Sequence, residues 1–229
     1  MNTEVSGLLV AAHELKAPLS VVRQLALTAN FVESEVEKTR LTSRIVDVSE
    51  RALRQVNDLT KLARLEAGLF ELMPVSVRGI CEEVVSEVGP LFAEERCALD
   101  VTYTNRSRLA VANRDLLFSV VYNFCTNALR YSEDGLSSRL TVHDYRGGVR
   151  IAVRDYGPAL PVNIWRELQQ HGTVRPTNIS MRPGSSGLGL YIASQFAQFM
   201  HAKLGATRHT DGTSFFIDLP ASKQAELAL

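Results

Sequence analysis

Little in this sequence marks a membrane, an extracellular or a nucleic-acid-binding protein. No apolar run approaches the roughly 20 residues a membrane helix needs, and no basic stretch followed by an apolar signal core opens the chain. The chain itself is therefore not expected to contact a membrane. Neither sign of charge prevails, with 25 Lys+Arg against 25 Asp+Glu, so no global field argues for binding a nucleic acid. Cysteine is scarce. The three thiols, Cys81, Cys97 and Cys125, form no CxxC pair and sit in apolar or helical surroundings, as buried free thiols of a reducing compartment do. A cytosolic location is expected.

What is present is an ordinary globular balance, 45% apolar and 22% charged residues over 229 positions, enough for two units. From Thr3 to Ala67 the only proline is Pro18 and the only glycine Gly7, which reads as long helix. Leu8, Ala12, Leu15, Leu19, Val22, Ala26 and Ala29 alternate steps of four and three, a packed seam. After a polar stretch near Glu33 to Thr39, Leu41, Ile45, Val48, Ala52, Val56, Leu59 and Ala63 continue the pattern on a returning helix. Two helices bury too little apolar surface alone, so the hairpin is expected to pair with a copy of itself as a dimeric four-helix bundle.

The texture changes after Glu71. Short β-rich runs at Leu99 to Tyr103, Leu140 to Tyr145, Val149 to Arg154 and Ser214 to Leu219 alternate with helical runs at Val77 to Val88, Arg114 to Tyr131 and Leu188 to Met200. The fold class is therefore α+β, a helical hairpin over 1–70 followed by an α/β sandwich over 71–229.

Four short segments carry chemistry. In HELKAPLS, His13 to Ser20, the imidazole lies one position off the seam with Glu14 beside it. A carboxylate accepting the Nδ1 proton leaves Nε2 as a lone pair able to attack phosphorus, although a surface histidine beside an acid is the commoner meaning of such a pair. Pro18 is expected to bend the helix just beyond. In NFCTNALRYS, Asn123 and Asn127 fall on one helical face, where a carboxamide oxygen suits Mg²⁺ or both amides are merely solvated. Arg130 follows at phosphate reach. DYGPA places Asp155 after an apolar strand, where it could accept from an adenine amino group, with Gly157 permitting close backbone approach. GSSGLGL leads through Gly187 and Gly189 into a helix N-terminus, a phosphate-binding feature that glycine turns also mimic.

In that order and spacing the four segments, with LARLEAG near Gly68 and the closing DGTSFFIDLP, resemble the bacterial two-component sensor histidine kinases from about Gly7 to Pro220. The resemblance implies an ATP-binding domain of the Bergerat (GHKL) type. It further implies a phosphoacceptor His13 with Glu14 as its acid/base partner, and Asn123 and Asn127 as nucleotide and Mg²⁺ contacts, Asn127 being the direct ligand. Asp155 would recognise adenine, Arg130 and Tyr131 would lie near phosphates and nucleotide, and Gly157, Gly187, Leu188 and Gly189 would line the pocket. The implied activity is ATP-dependent autophosphorylation followed by transfer to an aspartate of a response regulator receiver domain. The chain would then be cytoplasmic, alone or as the cytosolic part of a longer membrane-attached sensor.

Three positions depart from the family pattern. Ala17 stands where many relatives carry Thr or Asn to position water for dephosphorylation, and Ala159 replaces a glycine of the first glycine box. Gln169 and Gly172 occupy places commonly held by lid-anchoring Phe, with Trp165 a candidate substitute and the lid itself within about Thr173 to Ser186. These departures make a catalytically degenerate, dimeric nucleotide-binding scaffold the alternative reading.

Overall fold

In the computed structural model the described residues are 2–104, 109–131, 136–173 and 188–222, with side chains described from Leu15 onward. Two long helices come first, α1 (Asn2–Ala29) and α2 (Glu35–Glu66), packed against each other as a hairpin. The connection is tighter than the polar stretch suggests. Ser34 caps α2 by accepting a hydrogen bond from the Glu37 amide, and Glu35 and Glu37 suit the positive end of the helix, so Glu35 to Thr39 are already helical. Helix α1 runs through Pro18 without interruption.

About a third of the described seam positions expected from sequence stay exposed, and Leu8 and Ala12 lie outside the described side chains. Leu41 and Ala52 are buried, and Leu15, Pro18, Val22, Leu25 and Ala29 are partly covered, whereas Leu19 is 61% and Val56 42% exposed and Ala26 and Ala63 are exposed too. A single hairpin covers one stripe of each helix. The heptad pattern contains a second stripe that the single chain leaves in water.

The rest is an α/β sandwich. Strand β1 (Met73–Ser76) pairs antiparallel with β3 (Leu109–Ala112). The main sheet has the order β2 (Leu99–Tyr103), β4 (Ser138–Tyr145), β5 (Gly148–Asp155), β7 (Gly212–Pro220), β6 (Lys203–His209). Among the described residues only the β2–β4 pair is parallel. Helices α3 (Val77–Glu94), α4 (Arg114–Tyr131) and α6 (Leu188–Phe199) cover one face with α4 in the middle, and α5 (Val162–His171) packs beside β6. Alternation along the strands supplies Leu140, Val142, Val149, Ile151, Val153, Phe215, Ile217 and Leu219 to this core. Phe124 of α4, 1% exposed, stacks on Phe215 at 5.8 Å between ring centroids.

Helix α4 is held at both ends of its course. Asn113 caps it by accepting from the amides of Asp115 (3.1 Å) and Leu116 (3.2 Å), and donates its Nδ2 to the Glu71 carbonyl at 3.0 Å. At its far end the Tyr131 carbonyl sits against Gly157. These contacts fix the helix that carries both asparagines.

Candidate functional site

A cleft of about 650 Å³ opens between α2 and the sandwich. On the sandwich side its wall carries Asn123, Asn127, Arg130 and Tyr131 from α4, and Leu188 and Gly189 from the start of α6. The asparagines are on one face as the spacing requires, and Asn127 Nδ2 donates to Asn123 Oδ1 at 2.8 Å. That bond uses the nitrogen of Asn127, so its carboxamide oxygen is the one suited to a cation.

Asp155 and Gly157 are not on the cleft wall. Asp155 is 1% exposed and its Oδ1 accepts from the amides of Gly157 (3.2 Å) and Thr213 (3.0 Å), a geometry that stabilises an ionised carboxylate in a buried place. Thr213 in turn accepts from the Leu160 amide at 3.0 Å, so one network pins the loop after β5. The two glycines have neighbours that sequence could not name. A Cβ on Gly157 would lie 1.6 Å from the Tyr131 carbonyl oxygen, and one on Gly189 would lie 2.1 Å from Asn123 Nδ2. What approaches closely is therefore α4, at its C-terminus and at its first asparagine.

The side chains of His13 and Glu14 lie outside the described ones, although both positions belong to α1. Gly187 and the lid segment beyond Thr173 also lie outside the described residues. Trp165 Nε1 (3.0 Å) and Gln169 Nε2 (2.9 Å) both donate to the Ala206 carbonyl, so these side chains fasten α5 to β6.

Missed by sequence reasoning is the opposite wall, which α2 supplies. Lys61 donates to Ser119 Oγ at 2.7 Å and lies 3.8 Å from Asp58. Burial raises the Asp58 carboxyl above the usual range, an effect the Ser119 hydroxyl and Lys61 partly offset. Arg54 pairs with Glu87 of α3 and stacks over the Tyr122 ring at 4.8 Å. Arg51 lines the same cleft. Enclosure and then the neighbouring Arg130 lower its pKa. The period of α2 marks which residues face α1, but nothing local marks which face a second domain.

Residues 112–223 match the family of histidine kinase-, DNA gyrase B- and HSP90-like ATPases. The chain is 28% identical over 212 residues to the probable sensor histidine kinase TcrY of Mycobacterium tuberculosis, covering 92% of this chain and 44% of TcrY. Residues 112–223 belong to that ATPase family, and the chain as a whole is similar to the bacterial two-component sensor histidine kinases.

Solved histidine kinases share its fold. The structure of ThkA in complex with the response regulator protein TrrA superposes with a TM-score of 0.66 at 16% identity, covering 93% of this chain and 61% of that one. Full-length ShkA in complex with AMPPNP gives 0.63 at 24% identity, covering 97% and 47%. This chain spans less than half the length of TcrY. Its ATP-binding module is the Bergerat-type sandwich described above. The names of these relatives are those of sensor kinases, and they lend no support to the scaffold reading. Among the described residues no helix is long and apolar enough to cross a membrane.

Proposed function

We propose that this chain is an autokinase core that phosphorylates His13 from ATP and passes the phosphoryl group to an aspartate of a response regulator receiver domain. The observation that carries the reading is the bonded Asn123–Asn127 pair on the wall of a cleft that α2 and the sandwich share. A nucleotide held there lies between the ATP-binding module and the hairpin that bears His13.

In the proposed reaction Glu14 accepts the Nδ1 proton, and the Nε2 lone pair of His13 attacks the γ-phosphorus in line. The bond from that phosphorus to the β,γ-bridging oxygen breaks and ADP leaves. Asp155, buried beside the cleft rather than on its wall, is the proposed adenine contact. Asn127 would hold Mg²⁺ through its carboxamide oxygen, and such an ion supplies neutralisation of phosphate charge. A single neutral oxygen fits an ion whose other ligands are phosphates and water, and the described residues contain no cluster of His, Cys, Asp or Glu that could form an all-protein site. Catalysis is then mostly positioning, as the sandwich moves against the hairpin.

The hairpin of residues 1–70 serves as the dimerisation unit and 71–229 as the catalytic one. Exposed Leu19 and Ala26 on α1 and Val56 and Ala63 on α2, the seam positions left in water, support pairing with a second copy in which they are buried. Resemblance to the ThkA–TrrA complex supports the receiver partner. A cytoplasmic site of action follows from that partner and from the free thiols. The test is incubation with γ-labelled ATP and Mg²⁺. Label that is acid-labile, alkali-stable and absent from His13→Gln is expected, and persistent labelling of that variant would disprove the assignment.

A further inference from the structure

The cations of α2 that face the cleft are not equivalent. Arg54 is committed to Glu87 and the Tyr122 ring, and Lys61 to Ser119 and Asp58. Arg51 makes no hydrogen bond or ion pair with any described residue, yet it lines the cleft together with Arg130, Asn123 and Asn127. Two guanidinium groups from different helices therefore line one cleft. Being of like charge, they repel wherever nothing lies between them. Burial and then Arg130 lower the Arg51 pKa, while Asp47, Tyr122 and Glu95 act in the opposite sense. A polyanion placed between the two arginines turns that repulsion into a clamp, and guanidinium is suited to bidentate contact with phosphate oxygens.

Resting on the nucleotide reading above, we propose that Arg51 is a phosphate-binding residue contributed by the hairpin, clasping the polyphosphate of bound nucleotide against Arg130. The sandwich thus does not hold its nucleotide alone. Binding of a di- or triphosphate draws α2 and α4 together, while a nucleoside without phosphates gains nothing from Arg51. Selectivity for the charged end of the nucleotide is then shared between the two units of the chain.

The test is competition by adenosine, ADP and ATP against a fluorescent ATP analogue, on the full chain as wild type, Arg51→Gln, Arg51→Lys and Asn127→Asp. Arg51→Gln is expected to weaken ATP and ADP at least about tenfold, the loss of one charge-assisted contact, and to leave adenosine unchanged. Arg51→Lys recovers part of the loss. Equal affinities of Arg51→Gln and wild type for all three ligands would overturn the proposal. So would an equal loss for all three, which would make Arg51 a structural residue. If folded wild type binds no nucleotide, the underlying reading fails and this one with it. Loss of binding in Asn127→Asp with wild-type behaviour of Arg51→Gln sinks only the clamp.

Discussion

Replacing Gly189 by Ala should separate nucleotide binding from folding. The added methyl would stand 2.1 Å from Asn123 Nδ2, which is the far end of a side chain and can move. Swinging that carboxamide away breaks its 2.8 Å bond with Asn127. Such a bond is worth about 0.5–1.5 kcal/mol net, so its loss alone weakens nucleotide about 2- to 12-fold. The displacement itself costs about 1–3 kcal/mol of stability, and in a chain of this size each kcal/mol lowers Tm by about 2–4 °C. A cooperative transition at a modestly lower temperature is therefore expected. Gly157→Ala is the internal contrast, because there the methyl meets the Tyr131 backbone carbonyl at 1.6 Å and backbone cannot step aside. Calorimetric titration with ADP and a thermal melt of both variants check the argument. Wild-type affinity in Gly189→Ala would refute the claim that the asparagine pair is preset by this contact.

Other consequences are as direct. Phe124→Ala removes a fully buried ring stacked on Phe215 and should cost about 3–5 kcal/mol in urea denaturation. Asp58 titrates above the usual carboxylate range when folded, so the native state binds its proton more tightly than the unfolded chain. Its contribution to stability then declines as pH rises from the ordinary carboxylate range through the raised value, and Asp58→Asn should flatten that slope in urea midpoints taken across mildly acidic to neutral pH. Burial pushes the Cys81 thiol up to about 12 and raises Cys125 as well, whereas Cys97 is partly exposed. Thiol titration of the native chain at neutral pH should therefore modify Cys97 alone, and denaturant should release the other two.

Elements with a strong period were legible in sequence. Helices α1 and α2 follow from the step of four and three, α4 from its apolar face, and β4, β5 and β7 from alternation. Those that escaped lack such a signal. β1 and β3 are four residues each, β6 interrupts its alternation with a glycine and charges, and α5 starts at Val162 without a side-chain cap. Pro90 suggests an end to α3 near Val88, yet the helix continues to Glu94, since packing of Phe92 outweighs one missing amide. Within the site, the facing of Asn123 and Asn127 was readable because it is a property of one helix. The wall formed by Arg51, Arg54, Asp58 and Lys61 was not, because it depends on how two units dock.

Asn113 ties the strand leaving the hairpin to the first turn of α4, through one bond to Glu71 and two to helical amides. The 67–72 segment that follows α2 is thereby fastened to the start of that helix by one side chain. Any displacement of that segment would act on the first turn of the asparagine-bearing helix through this one side chain, unless the bond to Glu71 breaks first.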